Sequence, residues 1–194
     1  MKKIYLFRHS TPDKNSKLQN EYIPLSQEGT DFVRQLVDKL PVTSPVKVFS
    51  SPYLRAKQTA EAFSFNVITD ARLIERRTGN KNTFTKDLWV TQYTDIDAKN
   101  ENGESFRMVQ WRMSEFMNAL LAEMDEGESA FVVSHAAAIC AYLQQYCEIQ
   151  VTDVDTKCRR IVFHNKTVLE GKIKTPSCFI LTFNKGLTSV SYID

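Results

Sequence analysis

Histidine is scarce in this chain, with three among 194 residues, so the position of each carries information. Glycine and proline number six each, too few for a long disordered linker. The four cysteines, Cys140, Cys147, Cys158 and Cys178, contain no C-x-x-C pair, which excludes the zinc-knuckle and dithiol redox patterns. They read as reduced thiols, since a chain of this size does not need disulfides to hold a core. No apolar run approaches the length of a membrane span. Met1-Lys2-Lys3 imitates the start of a signal peptide, but the apolar stretch stops at Arg8, short of an h-region. The expected compartment is therefore the cytoplasm. A formal charge of +2 leaves no whole-molecule field for nucleic acid. Neither nucleic acid nor a membrane is an expected partner, and oligomeric state cannot be read from one chain. The pairs Arg76-Arg77 and Arg159-Arg160 read as local features, either solvated faces or anion contacts. No internal repeat or linker divides the sequence, so one domain over residues 1–194 is expected.

What is present alternates between strand and helix patterns. Residues 3–7 form a buried apolar run, followed by an irregular polar stretch over 8–24. Ser26 opens a helix whose stripe is Phe32, Val33, Leu36, Val37 and Leu40, stopped by Pro41 and Pro45. Residues 46–49 read as a second strand. Ser51-Pro52 reads as an N-cap followed by proline at the first helical position, with Ala56, Ala60 and Phe63 on the buried face. Val67-Ile68 is a short third strand. A long amphipathic helix runs from Phe106 to Met124, a strand over 130–134, and a helix from Ala136 to Tyr146. Phe179, Leu181 and Phe183 alternate before Asn184-Lys185-Gly186 and Ser189–Ile193, a terminal hairpin. These elements predict an α/β fold: a three-layer α/β/α sandwich with a mostly parallel central sheet and a C-terminal hairpin.

Two histidines fall where strands end. Arg8-His9 follows the first strand, and His135 follows Phe131-Val132-Val133-Ser134. Ligand sites in open parallel sheets collect beyond the carboxyl ends of the strands. Arg55 follows the second strand and Glu75 the third. Two arginines, two histidines and a carboxylate at one sheet edge fit a tetrahedral oxyanion, because the guanidinium fork donates paired hydrogen bonds. Neither histidine has a partner at metal-ligand spacing, and no Walker loop is present. Without a metal, a phosphate site needs a protein nucleophile or a well-placed water; histidine can serve as a covalent nucleophile, and no cofactor is called for.

Four ordered segments resemble the histidine phosphatase superfamily, which includes the cofactor-dependent phosphoglycerate mutases. They are Leu6-Phe7-Arg8-His9-Ser10-Thr11, Leu25-Ser26-Gln27-Glu28-Gly29, Ser50–Ala60 (S-S-x-x-x-R-A-x-x-T-A) and Val133-Ser134-His135-Ala136. Leu73-Ile74-Glu75-Arg76 and Gly103-Glu104-Ser105 fit weaker intervening motifs. The resemblance implies His9 as nucleophile, Arg8, Arg55 and His135 as phosphoryl ligands, Glu75 as proton donor and acceptor, and Asn15 as a further phosphate contact. It implies a small phosphorylated substrate and a metal-independent phosphomonoester hydrolase acting through a phosphohistidine on His9. The alternatives are a primed mutase and a phosphate-binding module without turnover. A chain shorter than typical mutases of this family favours the hydrolase.

Two positions depart from the pattern. Ser10 and Ala136 stand where glycine follows each histidine. Ser10 must fit an ordinary φ or accept strain, and its hydroxyl is a candidate phosphate ligand. Glu61 is a second candidate carboxylate, though its position inside a helix reads as a solvated face. His164 has no motif around it and reads as non-catalytic. Trp89 and Trp111 read as core packing. The stretch 76–103 reads equally as a specificity region and as a surface connection.

Overall fold

The computed structural model describes residues 1–41, 47–64, 66–83 and 85–194. Its elements in chain order are β1 (Lys2–Arg8), α1 (Gln27–Asp38), β2 (Lys47–Ser50), α2 (Leu54–Glu61), β3 (Val67–Thr69), α3 (Lys86–Thr91), α4 (Phe106–Glu123), β4 (Ser129–Ser134), α5 (Ala136–Leu143), β5 (Glu148–Asp153), β6 (Cys158–Phe163), β7 (Lys166–Gly171), β8 (Ser177–Phe183) and β9 (Leu187–Ile193).

Strand β1 shows why the layers form. Its side chains alternate across the sheet, as the two-residue period of a strand requires. Ile4 and Leu6 join Val109, Met113, Phe116 and Met117 of α4 and the buried face of α5. Tyr5 and Phe7 point the other way, into a cluster with Leu36 of α1 and Ala56 and Ala60 of α2. Strand β4 repeats the plan, Ala130 and Val132 on the first face and Phe131 and Val133 on the second. Each fully buried side chain of this kind contributes roughly 1.5–3 kcal/mol by leaving water.

The central sheet has the order β3-β2-β4-β1-β8-β9. The first four strands are mutually parallel, and β8 and β9 join antiparallel as the expected hairpin. Strands β1, β4 and β2 are therefore neighbours that end together, with Arg8 in register with Ser134 and Ser50 in register with Val133. Their next residues continue the ladder: His9 donates its amide to Ser134 (3.0 Å) and Ser51 to Val133 (2.9 Å).

Several local expectations change. Pro45 and Val46 lie outside the described residues. Helix α2 starts at Leu54 with Tyr53 as its N-cap, so Ser51 and Pro52 belong to the approach and not to the cap. The reason is that β2 delivers Ser51 to the ladder. Helix α5 ends at Leu143, short of Tyr146. Trp111 is 68% exposed on α4 and is not core. Strands β5, β6 and β7 form a separate antiparallel sheet that the sequence pattern did not reveal. All four cysteines are free, three of them buried. Among the described residues no helix is long and apolar enough to cross a membrane.

Gly29 accounts for the third residue type of the Leu25–Gly29 motif. A Cβ built there would lie 2.2 Å from the carbonyl oxygen of Thr11, a backbone atom that cannot yield. The same loop is fastened by the Ser26 amide donating to Thr11 at 3.0 Å. Gly29→Ala is expected to destabilise the protein by about 2–3 kcal/mol, as overpacking does. Thermal unfolding should show a drop of roughly 4–12 °C for a chain of this size. An unchanged melting point would show that the loop after His9 is free to move away.

Candidate active site

The strand ends bring Arg8, His9, Arg55 and His135 into one cluster. His9 is 7% exposed and His135 fully buried, and their rings meet edge to face at 4.9 Å. The hydrogen bonds settle the tautomer of His9. Its Nδ1 lies 2.7 Å from the Ser10 carbonyl oxygen, which can only accept, so Nδ1 carries the proton. Its Nε2 accepts from Arg55 Nε at 3.2 Å, so that nitrogen holds a lone pair. Arg55 also reaches His135 Nδ1 at 3.5 Å, and the opposite nitrogen, Nε2, lies 2.9 Å from Ser51 Oγ. Because Arg55 has no acceptor, His135 Nδ1 accepts and Nε2–H donates to Ser51.

Electrostatics keep both rings neutral. Burial first, then the charge of Arg55, holds His9 down at about 3. Burial first, then electrostatic coupling to the His9 ring and the charges of Arg55 and Arg8, hold His135 well below its ordinary value. An imidazole whose Nε2 lone pair stays unprotonated near neutral pH is a competent nucleophile. The same shift governs stability. The unfolded chain protonates His9 below about pH 6.5, whereas the folded chain resists until about pH 3. This contribution to stability is full above pH 6.5, lost progressively as pH falls, and constant again below pH 3. Urea unfolding at pH 7 and pH 5 is expected to show a loss of about 2 kcal/mol from His9 alone. His9→Gln should reduce that loss; an unaltered loss would mean that the folded chain already accepts the proton.

The Ser50–Ala60 block builds the cluster residue by residue. Ala56 and Ala60 are fully buried, and their small side chains let α2 lie close to the sheet. Arg55 then sits one helix turn before Thr59, whose hydroxyl donates to the Arg55 carbonyl at 2.7 Å and accepts from the Ser10 amide at 3.0 Å. Arg55 Nη1 donates to the Asn20 carbonyl at 2.5 Å. The Tyr53 ring packs against His135 at 5.1 Å, and the Arg55 guanidinium lies 5.1 Å from the same ring. Ser10 has no positive φ, and its hydroxyl donates to the Gly29 carbonyl at 2.6 Å, so serine here braces α1 and does not face a phosphate. Ala136 is the first residue of α5 and needs no special backbone.

Glu75 reaches the site from the loop after β3. Its Oε1 accepts from the amides of Arg76 (2.8 Å) and Ala138 (3.0 Å), and Oε2 from that of Ala137 (3.4 Å). The carboxylate thus sits at the start of the helix that His135 caps. Arg112, which sequence reading missed, holds this loop. It donates to the carbonyls of Arg72 (2.6 Å) and Ile74 (2.9 Å) and to both oxygens of Glu104 (3.0 and 3.1 Å). Burial pushes the Glu104 carboxyl up, but Arg112 and the Arg77 amide outweigh it and hold it below its ordinary value. Ser105 caps α4 by accepting from the Met108 amide. The Gly103-Glu104-Ser105 motif is therefore a brace for Glu75. Only a pattern linking Arg112 to Glu104 across eight residues could have shown it.

Three candidates stand apart from the cluster. Asn15 is exposed, and its amide donates to Asp13 Oδ1 at 2.9 Å in a local turn. Glu61 lies on the open face of α2, 3.8 Å from Lys57. His164 stacks on Phe163 in the turn between β6 and β7. Beside the cluster lies a chamber of about 240 Å³, whose lining includes Arg8, Glu75, Trp89, Lys157, Arg159 and Lys172. Residues 76–103 thus contribute Trp89 and Tyr93 to its wall.

The family model of the histidine phosphatase superfamily (branch 1) matches residues 4–184. A comparison by sequence with curated proteins finds no match. Among solved structures, the chain is similar to a mycobacterial glucosyl-3-phosphoglycerate phosphatase in complex with VO3, with 20% identity, a TM-score of 0.70, and coverage of 98% of this chain and 96% of that one. It is also similar to a phosphoglycerate mutase from Thermus thermophilus, with 20% identity, a TM-score of 0.65 and 99% of each chain covered. At that coverage, chain length does not separate hydrolase from mutase.

Proposed function

The chain belongs to the histidine phosphatase superfamily, and from that premise we propose that it hydrolyses phosphomonoesters through a phosphohistidine formed on His9. The observation that carries the reading is the fixed tautomer of His9, with Nδ1–H on the Ser10 carbonyl and the Nε2 lone pair beside Arg55. In the first step Nε2 attacks phosphorus and the bond to the leaving oxygen breaks. Glu75 supplies the proton that oxygen takes. Arg8 and Arg55 donate to the phosphoryl oxygens as charge moves onto them, and His135 joins them in its other tautomer, with the proton on Nδ1, the nitrogen facing Arg55, and the Ser51 hydroxyl then donating to Nε2. In the second step water attacks phosphorus, Glu75 takes its proton, and the bond to Nε2 breaks. Ester and water become alcohol and phosphate, and His9 and Glu75 return to their starting forms. Water rather than a second substrate hydroxyl is the acceptor in this reading because Glu75 is only partly buried, so solvent reaches the carboxylate that must accept its proton.

The test is phosphate release from a panel of phosphomonoesters in the presence of a chelator. Release without a bisphosphorylated primer is the expected result. Phosphoryl exchange that needs such a primer and frees little phosphate would replace the reading with a mutase, and phosphate affinity without turnover would replace it with a binding module.

A further inference from the structure

The hydrolysis described above leaves Arg159 unused. This residue of β6 is 4% exposed. Its guanidinium lies 5.4 Å from the ring centre of Trp89 and 5.6 Å from that of Tyr93. Nη1 donates to Tyr93 Oη (2.9 Å) and Cys140 Sγ (2.8 Å), and Nη2 to the Lys157 carbonyl (3.1 Å). None of these partners is a carboxylate. The adjacent Arg160 points to solvent and pairs with Glu170 at 3.4 Å, so the two arginines of one dipeptide have opposite fates. A buried guanidinium with no carboxylate in hydrogen-bond contact is costly, and a site that keeps one has a use for its charge.

The stacking on Trp89 and Tyr93 explains how Arg159 is held, but not the company it keeps. The chamber it lines also receives Arg8, Arg76, Lys157 and Lys172, against Glu75 as the carboxylate among its lining residues. The cations come from three sources, Arg76 standing beside Glu75 in the loop after β3. Arg8 ends the central strand β1. Lys157, Arg159 and Lys172 come from the separate β5–β7 sheet and its flanks: Lys157 in the β5–β6 turn, where the bond from Arg159 pins its carbonyl, and Lys172 directly after β7. The residue after Lys172, Ile173, accepts from Arg8 Nη1 through its carbonyl, which ties the second sheet to the phosphoryl cluster. Lys157 and Lys172 are exposed at the mouth and form no ion pair among the described residues.

A phosphoryl dianion on Arg8 and Arg55 leaves these three cations unanswered. Resting on the hydrolase reading, we infer that Lys157, Arg159 and Lys172 form a second anion subsite, and that the preferred substrate is a small phosphomonoester carrying another anionic group, a carboxylate or a second phosphate, in its leaving part. A chamber of about 240 Å³ falls below the roughly 300–1,000 Å³ of clefts that hold drug-sized ligands, so the two groups are separated by a few carbons.

Binding of inert analogues tests this without requiring turnover. Calorimetric titration would compare butylphosphonate, 4-phosphonobutanoate and butane-1,4-diphosphonate on the full chain and on the double variant K157M/K172M. At least about tenfold tighter binding of one or both doubly anionic compounds than of butylphosphonate is expected, since charge-assisted hydrogen bonds are the strong ones. Which of the two binds tighter separates carboxylate from phosphate. The advantage should collapse in the double variant, whose substituted side chains are exposed and whose melting point should hold. Arg159→Met should lose the advantage too, with a thermal melt run beside it because the side chain is buried. Equal or undetectable binding of all three compounds, or an advantage that survives K157M/K172M, would overturn the subsite. Phosphate release, measured separately, reports on hydrolysis: no turnover with the preference intact contradicts the hydrolase and leaves the subsite standing, and turnover without the preference does the reverse.

Discussion

His9→Ala is expected to lower kcat by roughly 10⁴-fold or more, the scale on which removal of a covalent nucleophile acts. The side chain removed is the one whose Nε2 is kept unprotonated and aimed at the Arg55 guanidinium. Nothing else in the cluster can replace it. His135 presents Nδ1 to Arg55 and uses Nε2 to hold Ser51, and it is fully buried. Phosphate affinity should survive in the variant, because Arg8, Arg55 and His135 remain. The fold should survive as well, since the loss removes an imidazole that burial already strains at acid pH. Steady-state assays and phosphate titration on the same preparation check both halves. Near-normal turnover would contradict the covalent role.

Arg55→Lys should be nearly as damaging, with kcat/KM lowered by roughly 10²–10³-fold, the cost of removing a preorganised donor from developing charge. Arg55 distributes its donors among His9 Nε2, His135 Nδ1 and the Asn20 carbonyl. A lysine keeps the positive charge but replaces the planar fork with a point charge on a flexible stem. It cannot hold the nucleophile, the second histidine and the 19–22 loop at once. If charge alone mattered, the lysine variant would stay within a few fold of the parent. Parallel measurement with Arg55→Gln, which keeps donors and loses charge, separates the two contributions.

The parts of this site that are legible in the sequence are those in which local pattern and chemistry coincide. His9 and His135 follow runs that can only be buried strands, and parallel strand order then brings their ends together. The distance of Arg55 from β2 brings it beside His9, although the expected cap at Ser51 does not form. Capping depends on backbone angles that the Ser-Pro dipeptide does not fix, and the sheet ladder takes Ser51 instead. The sequence leaves the role of Ser10 open because its answer lies in Gly29, nineteen residues away. The role of Arg112, and which arginine of the Arg159-Arg160 pair is buried, are not legible for a related reason: part of what holds each comes from distant elements, and no spacing rule connects Arg159 to Trp89 or Arg112 to Ile74. Strands β5 and β7 carry charges and threonines that blur the two-residue alternation, so this second sheet has no clear signature. Trp111 reads as core because tryptophan usually is, whereas its position on α4 turns it to solvent.

The most direct measurement is capture of the covalent intermediate. A labelled phosphomonoester would be mixed with the protein, quenched in denaturant at alkaline pH within the first turnovers, and the phosphorylated peptide located by mass spectrometry. The account predicts one acid-labile phosphoryl group on His9, absent from His9→Ala. Turnover with no phosphoprotein at any quench time, or label on another residue, would contradict it.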